Sequence, residues 1–165
     1  MKFLKNIIFI KFLFILIIFT LDRVSKTYIL NIFNETQFNE IYLSEFINIY
    51  LIWNEGIAFG LLNFEDQFFY NLITFLIIII SLLVLYFALK NKNISGYFFA
   101  IIFGGSLGNL YDRIKFSAVP DFIDLHYNGF HWFIFNIADI FITLGVLCLI
   151  YDEVFLEKKR NEKNY

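Results

Sequence analysis

From Phe68 to Leu89 the chain reads FFYNLITFLIIIISLLVLYFAL, without one charged side chain. A run of this length and character constrains the fold more than any other feature, because about 20 consecutive apolar residues cross the hydrocarbon core of a bilayer as a helix. Three further stretches, Ile7 to Leu30, Gly96 to Ile114 and Phe135 to Phe155, are of comparable length and mostly apolar. Four spans are therefore expected, with outer connections over 31–67 and 115–134. Composition agrees: 59% hydrophobic residues and a mean hydropathy of +0.68 exceed what a soluble core of 165 residues needs. A helix satisfies its own backbone hydrogen bonds in lipid, and the runs lack the alternation of barrel strands. The expectation is an all-α membrane protein, one domain over 1–165.

Charge sets the orientation. In a four-span arrangement Lys2, Lys5, Lys11, Lys90, Lys92, Lys158, Lys159, Arg160 and Lys163 share one face, which the positive-inside rule makes cytoplasmic, with both termini there. The first span is read as uncleaved, since Lys11 interrupts it and no small-residue cleavage site follows. On the outer face the 31–67 connection is acidic, so Arg23, Lys26, Arg113 and Lys115 need local partners. A net charge of -2 gives no reason to expect nucleic acid, and the single cysteine, Cys148, excludes an internal disulfide.

Within 31–67, Ile41 to Trp53 (IYLSEFINIYLIW) is dense in β-branched and aromatic residues, which predicts short strands and a small extracytoplasmic β-platform. Asn54, Glu55 and Gly56 then supply a turn, and Ile57 to Leu62 continues a strand or lies on the membrane. The 115–134 connection is read as a loop. It holds the only proline, both histidines, Asp121 and Asp124.

Ionisable groups close to hydrocarbon are costly and mark function by default. Asp22 and Lys26, four apart, form an intrahelical pair of mainly structural meaning. Gly96, Ala100, Gly104 and Gly108 make a narrow stripe that lets another helix approach. Beyond it Asn109, Asp112 and Arg113 form one polar patch, as a helix anchor or as the rim of a site where Arg113 holds carbonyls or a carboxylate. In FNIADIFITLG, Asn136, Asp139 and Thr143 share a side. Asp139 has no basic residue within a helical turn, so a second carboxyl sharing a proton with it is expected, from Asp121 or Asp124.

Such a pair carries out hydrolysis as in aspartic proteases: the ionised member takes a proton from water while its protonated partner donates to the carbonyl oxygen. No metal or cofactor is needed. A metal site would draw on Asp121, Asp124, His126 and His131, but no helical ligand spacing is present and loop polarity explains the histidines better. Ser106 lies outside any nucleophile elbow and reads as a packing residue. The rival from another class is a small transporter or proton channel using the same aspartates as relay groups.

Five motifs carry a resemblance over nearly the whole chain: DRVSK (Asp22 to Lys26), NEGIAFG (Asn54 to Gly60), GGSLGNLYDR (Gly104 to Arg113), VPDF (Val119 to Phe122) and FNIAD (Phe135 to Asp139). In this order the chain resembles bacterial lipoprotein signal peptidase, also called signal peptidase II. The resemblance implies that Asp121 and Asp139 are the catalytic pair. It also implies that Asn54, Gly56, Asn109, Arg113 and Asn136 support the site, and that Asp22, Lys26 and Asp112 are structural, Asp112 through Arg113. It further implies a diacylglyceryl-modified prolipoprotein substrate cut before its lipidated cysteine, in the bacterial cytoplasmic membrane. The platform would contact substrate and lipid, with Trp53 and Phe59 as interfacial anchors, and one chain is expected to suffice. Pro120 and Ser106 depart from the family pattern without removing a functional group.

Overall fold

The computed structural model describes residues 2–36, 40–56 and 67–157. Four helices form the body: α1 Lys2–Thr36, α2 Gln67–Lys90, α3 Ser95–Phe116 and α4 Ile137–Tyr151, the last continuing as π-helical turns over Asp152–Glu157. α3 is central and packs against the other three. Its glycines explain how. A Cβ on Gly108 would come within 2.5 Å of Asp22 Oδ2, and one on Gly104 within 3.0 Å of Ile18 Cβ, so this edge of the predicted stripe seats α1. Gly105 does the same for α4, where a Cβ would lie 2.6 Å from the Ala138 carbonyl oxygen.

Among the described residues one helix, Phe68–Lys90, is long and apolar enough to cross a membrane on length and composition alone. α4 is short, and α1 and α3 carry charges, of which the structure buries Lys11, Asp22, Lys26, Asp112 and Arg113. Lys11 is 1% exposed. Its Nζ donates to the Ala88 carbonyl at 2.7 Å and to that of Asn91, closing the carbonyl end of α2. Outward faces remain apolar, with Phe9, Phe75, Ile80 and Leu147 more than half exposed.

Four strands form one antiparallel sheet in the order β1 Ile41–Tyr42, β2 Ile47–Asn54, β3 Val119–Tyr127, β4 Phe130–Phe135. β1 and β2 fall where strands are expected. The 115–134 connection is not the loop that was expected: it is a hairpin supplying half the strands. Its turn is Asn128-Gly129, both at positive φ (49° and 79°), as a two-residue hairpin turn that follows strand twist requires. The stretch Ile57 to Leu62 and Phe59 lie outside the described residues, as do Lys158, Lys159, Arg160 and Lys163. Trp53 packs edge-on against Phe116, ring centroids 5.5 Å apart.

Two details of β3 place chemistry. α3 ends at Ser117 in the left-handed region (φ 55°), its N–H bonding the Arg113 carbonyl, and β3 begins two residues later. Side chains then alternate along the strand, so Asp121, Ile123 and Leu125 share one face and Phe122, Asp124 and His126 the other.

Candidate active site

Asn136 is the N-cap of α4. Its Oδ1 accepts from the Asp139 N–H at 3.2 Å, and Asp139 Oδ2 accepts from the Asn136 N–H at 3.1 Å. This reciprocal box starts the helix and places a carboxylate in its first turn, where the helix dipole favours negative charge. The Asn136 Nδ2 donates to Asp121 Oδ1 at 2.6 Å. One residue thus bonds to both acids, one delivered by a strand and the other by a helix.

Three asparagines surround the pair, and each is oriented by an unambiguous donor on its carbonyl oxygen. Asn54 Oδ1 accepts from Gly56 N–H at 3.0 Å, leaving its Nδ2 for Asp121 Oδ2 at 2.9 Å. Asn109 Oδ1 accepts from Lys26 Nζ at 2.8 Å, leaving its Nδ2 for Asp139 Oδ1 at 2.8 Å. Asn136 follows the same rule through the Asp139 N–H. An amide whose oxygen is occupied by an N–H group presents its own hydrogens to the other side. The carboxyls thus accept from amides, and no direct bond joins them among the described residues; the directly shared hydrogen bond expected from the sequence is replaced by this amide cage.

Asp121 is 4% exposed. Its pKa is pushed up to about 6, first by burial and then by the negative charge of Asp139, while the hydrogen bonds from Asn54 and Asn136 pull the other way. Arg113 stands nearby, with Nη2 donating to the Gly56 carbonyl at 2.7 Å and Nη1 unpartnered among the described residues. These groups open on a cavity of about 540 Å³. Asn54, Asn109, Arg113, Asp121 and Asp139 line its polar end, and Leu125, Phe133, Phe135, Ile140 and Leu144 its apolar wall.

Comparison with known proteins gives the family: the family model described as Signal peptidase (SPase) II matches residues 14–155. The chain belongs to the signal peptidase II family. A lipoprotein signal peptidase of Pelagibacter ubique (strain HTCC1062) is 53% identical over 98% of this chain and 97% of its own length. One from Anaplasma marginale (strain Florida) is 38% identical over 88% and 84%. A bacterial membrane enzyme solved by the in meso method at 2.3 Å resolution superposes with a TM-score of 0.73 at 31% identity, covering 94% of this chain and 92% of its own.

In this signal peptidase II family member the residues of the DRVSK motif lie behind the site. Lys26 Nζ is 2.9 Å from Asp22 Oδ1 and 2.7 Å from Asp112 Oδ2. Arg23 Nη2 is 2.5 Å from Asp22 Oδ2 and 2.6 Å from Asp112 Oδ2, and its Nη1 also bonds to Asp112. Asp22 Oδ1 accepts the Ala138 N–H at 3.2 Å as well, which ties α1 to the start of α4. The expected Asp112–Arg113 partnership is therefore corrected. Asp112 pairs with Arg23 and Lys26 of α1, while Arg113, one residue on, points away to Gly56. Neighbours on a helix differ by about 100° in direction, so they serve different partners.

Asp124, the other acid considered beside Asp139, takes no part in the cavity. It lies on the opposite face of β3 with His131 Nδ1 2.7 Å from its Oδ2. Thr143 lines the cavity farther along α4. Ser106 bonds Ser81 of α2 at 2.6 Å, the packing role expected of it.

Proposed function

We propose that the chain is a membrane aspartic endopeptidase that removes the signal peptide from diacylglyceryl-modified prolipoproteins, cutting before the lipidated cysteine. Family membership makes it a signal peptidase of lipoprotein precursors; the catalytic type, the residues and the topology are the further reading. One observation carries it: Asp121 and Asp139 line one cavity, both bonded to Asn136, and among the described residues neither is ion-paired with a cation. Two acids so placed resist ionising together, which keeps the proton of one of them above the ordinary carboxylate range.

In this reading Asp139 holds the negative charge, in the first turn of α4 and facing two N–H donors. It takes a proton from water as the oxygen attacks the scissile carbonyl. Asp121, whose proton persists to about pH 6, donates to the carbonyl oxygen. As the tetrahedral intermediate collapses, the proton gained by Asp139 passes to the departing amine of the cysteine, and Asp121 recovers its own from the new carboxyl group. The unpartnered Nη1 of Arg113 is placed to hold a substrate carbonyl, and the apolar wall suits an acyl-bearing substrate.

All four helices span in this reading, with both termini cytoplasmic and the sheet and cavity near the outer face. A substrate anchored by its lipid meets the cavity there. The test is to reconstitute the purified chain with a lipid-modified precursor and follow peptide release. Asp121→Asn and Asp139→Asn should each abolish cleavage with membrane insertion intact; either variant cutting at the parental rate overturns the assignment.

A further inference from the structure

The face of β3 turned away from the cavity carries a second polar cluster. Asp124 and His126 are two residues apart on that face, and His126 stands directly opposite His131 of β4. The two imidazoles stack with centroids 5.3 Å apart. His131 Nδ1 lies 2.7 Å from Asp124 Oδ2 and His126 Nδ1 lies 3.9 Å from the same oxygen, beyond hydrogen-bond reach. One ligand atom from each of the three falls within 4.8 Å of the other two.

The cluster is incomplete as a hydrogen-bonded network. Asp124 is 2% exposed, yet its Oδ1 has no partner among the described residues, and neither has the buried Nδ1 of His126. On β2, Asn48 is paired in register with Asp124, and its Oδ1 is likewise buried without a partner. Three lone-pair-bearing atoms from facing positions, each lacking a donor, make a surrounding that a cation satisfies, because burying polar atoms unpaired is otherwise costly.

We propose that Asp124, His126 and His131 form a divalent transition-metal site of the zinc type, clamping β3 to β4 on the face opposite the catalytic cavity. Two imidazole nitrogens and one carboxylate oxygen are a borderline donor set suited to zinc, with bonds of about 2.0–2.2 Å. Ligand atoms around such an ion are about 3.3 Å apart by tetrahedral geometry. The cluster closes to that spacing by small side-chain rotations at His126 and His131, the latter with an exposed side chain. The clamp leaves Asp121 on the other face of the strand, so the site is structural and separate from peptide-bond chemistry.

The test uses the full chain in detergent, free of any polyhistidine tag and stripped with chelator, titrated with Zn²⁺ against a chromophoric zinc indicator. One equivalent should bind. His126→Ala and His131→Ala should weaken binding at least tenfold, whereas Asp139→Asn should bind as the parent does. His131→Cys, at an exposed position that tolerates change, should keep the site and, with Co²⁺, show a thiolate-to-cobalt charge-transfer band. The proposal falls if the parent binds no zinc at micromolar concentration, if both alanine variants bind as the parent does, if Asp139→Asn is the variant that loses the metal, or if the cysteine variant lacks the band.

Discussion

Two groups of buried aspartates sit within a few residues of each other in this molecule and behave in opposite ways. Asp22 and Asp112 face Arg23 and Lys26, so two carboxylates meet two cations and every charge is matched. Asp121 and Asp139 face three asparagines, which donate hydrogen bonds but bring no charge. Asp22, Asp112 and Asp121 are buried, and Asp139 is partly so. The first is an anchor, because its carboxylate oxygens are taken up by ion pairs between helices and neither residue lines the cavity. The second holds a proton above the ordinary carboxylate range, on Asp121 up to about pH 6, because burial and the neighbouring acid both disfavour its charge and the amides only soften that. Asn109 joins them: Lys26 holds its oxygen, and its amide hydrogens face Asp139. The anchor thereby sets the orientation of a hydrogen bond to Asp139.

The comparison breaks most sharply at the proposed catalytic pair. Asp121→Asn or Asp139→Asn should lower peptide release by about 10³-fold or more, while Asp112→Asn, in the charge-matched group, should retain more activity in whatever fraction folds; equal loss in correctly folded protein would remove the distinction. Next in size is Lys26→Met, which leaves buried carboxylates short of a cation and should cost about 3–5 kcal/mol in thermal or denaturant unfolding. Removing both partners together, Lys26→Met with Asp112→Leu, should recover part of that loss. No recovery would show that the pair is not acting as a unit.

The third prediction turns on the raised pKa of Asp121. Ionising this group costs the folded state, so the penalty is absent below its ordinary value of 3.8, grows as pH rises and is complete above about 6. Asp121→Asn removes the penalty. The inactive variant should therefore unfold at higher temperature than the parent above pH 6, by up to about 3 kcal/mol, and match it near pH 4. In the parent, kcat/KM should fall with rising pH through about 6 as Asp121 loses the proton it donates; a profile level across that region would reverse the acid and base roles. The smallest effect is at Asn54. Its hydrogen bond favours ionised Asp121, so Asn54→Ala should move the same limb to higher pH by a fraction of a unit, and a shift to lower pH would contradict the amide-cage account.

Much of the scaffold was legible locally. The 22-residue apolar run of α2, the glycine spacing of α3 and the strand-forming stretch before Asn54 each express a period within one element. So does FNIAD, where an asparagine cap three residues before an aspartate writes the start of α4. The hairpin of β3 and β4 carried a signal that went unread: Asn128-Gly129 between aromatic runs is a strong two-residue turn. Missing it hid the fact that Asp121 and Asp124 face opposite ways. It also hid the meeting of His126 with His131, since only cross-strand register places them opposite.

What the chain determined by itself was the number and character of its elements, the order of its motifs and the positions of its acids, because these depend on neighbours three or four residues away. Only the tertiary structure decided what surrounds each acid. Asp112 finds Arg23 across 89 residues and Asp121 finds Asn54 across 67. Whether a buried carboxyl is tied into ion pairs or left facing a cavity depends on whether a cation or an amide lies within about 3 Å of it, and that is settled when strand, helix and sheet pack together.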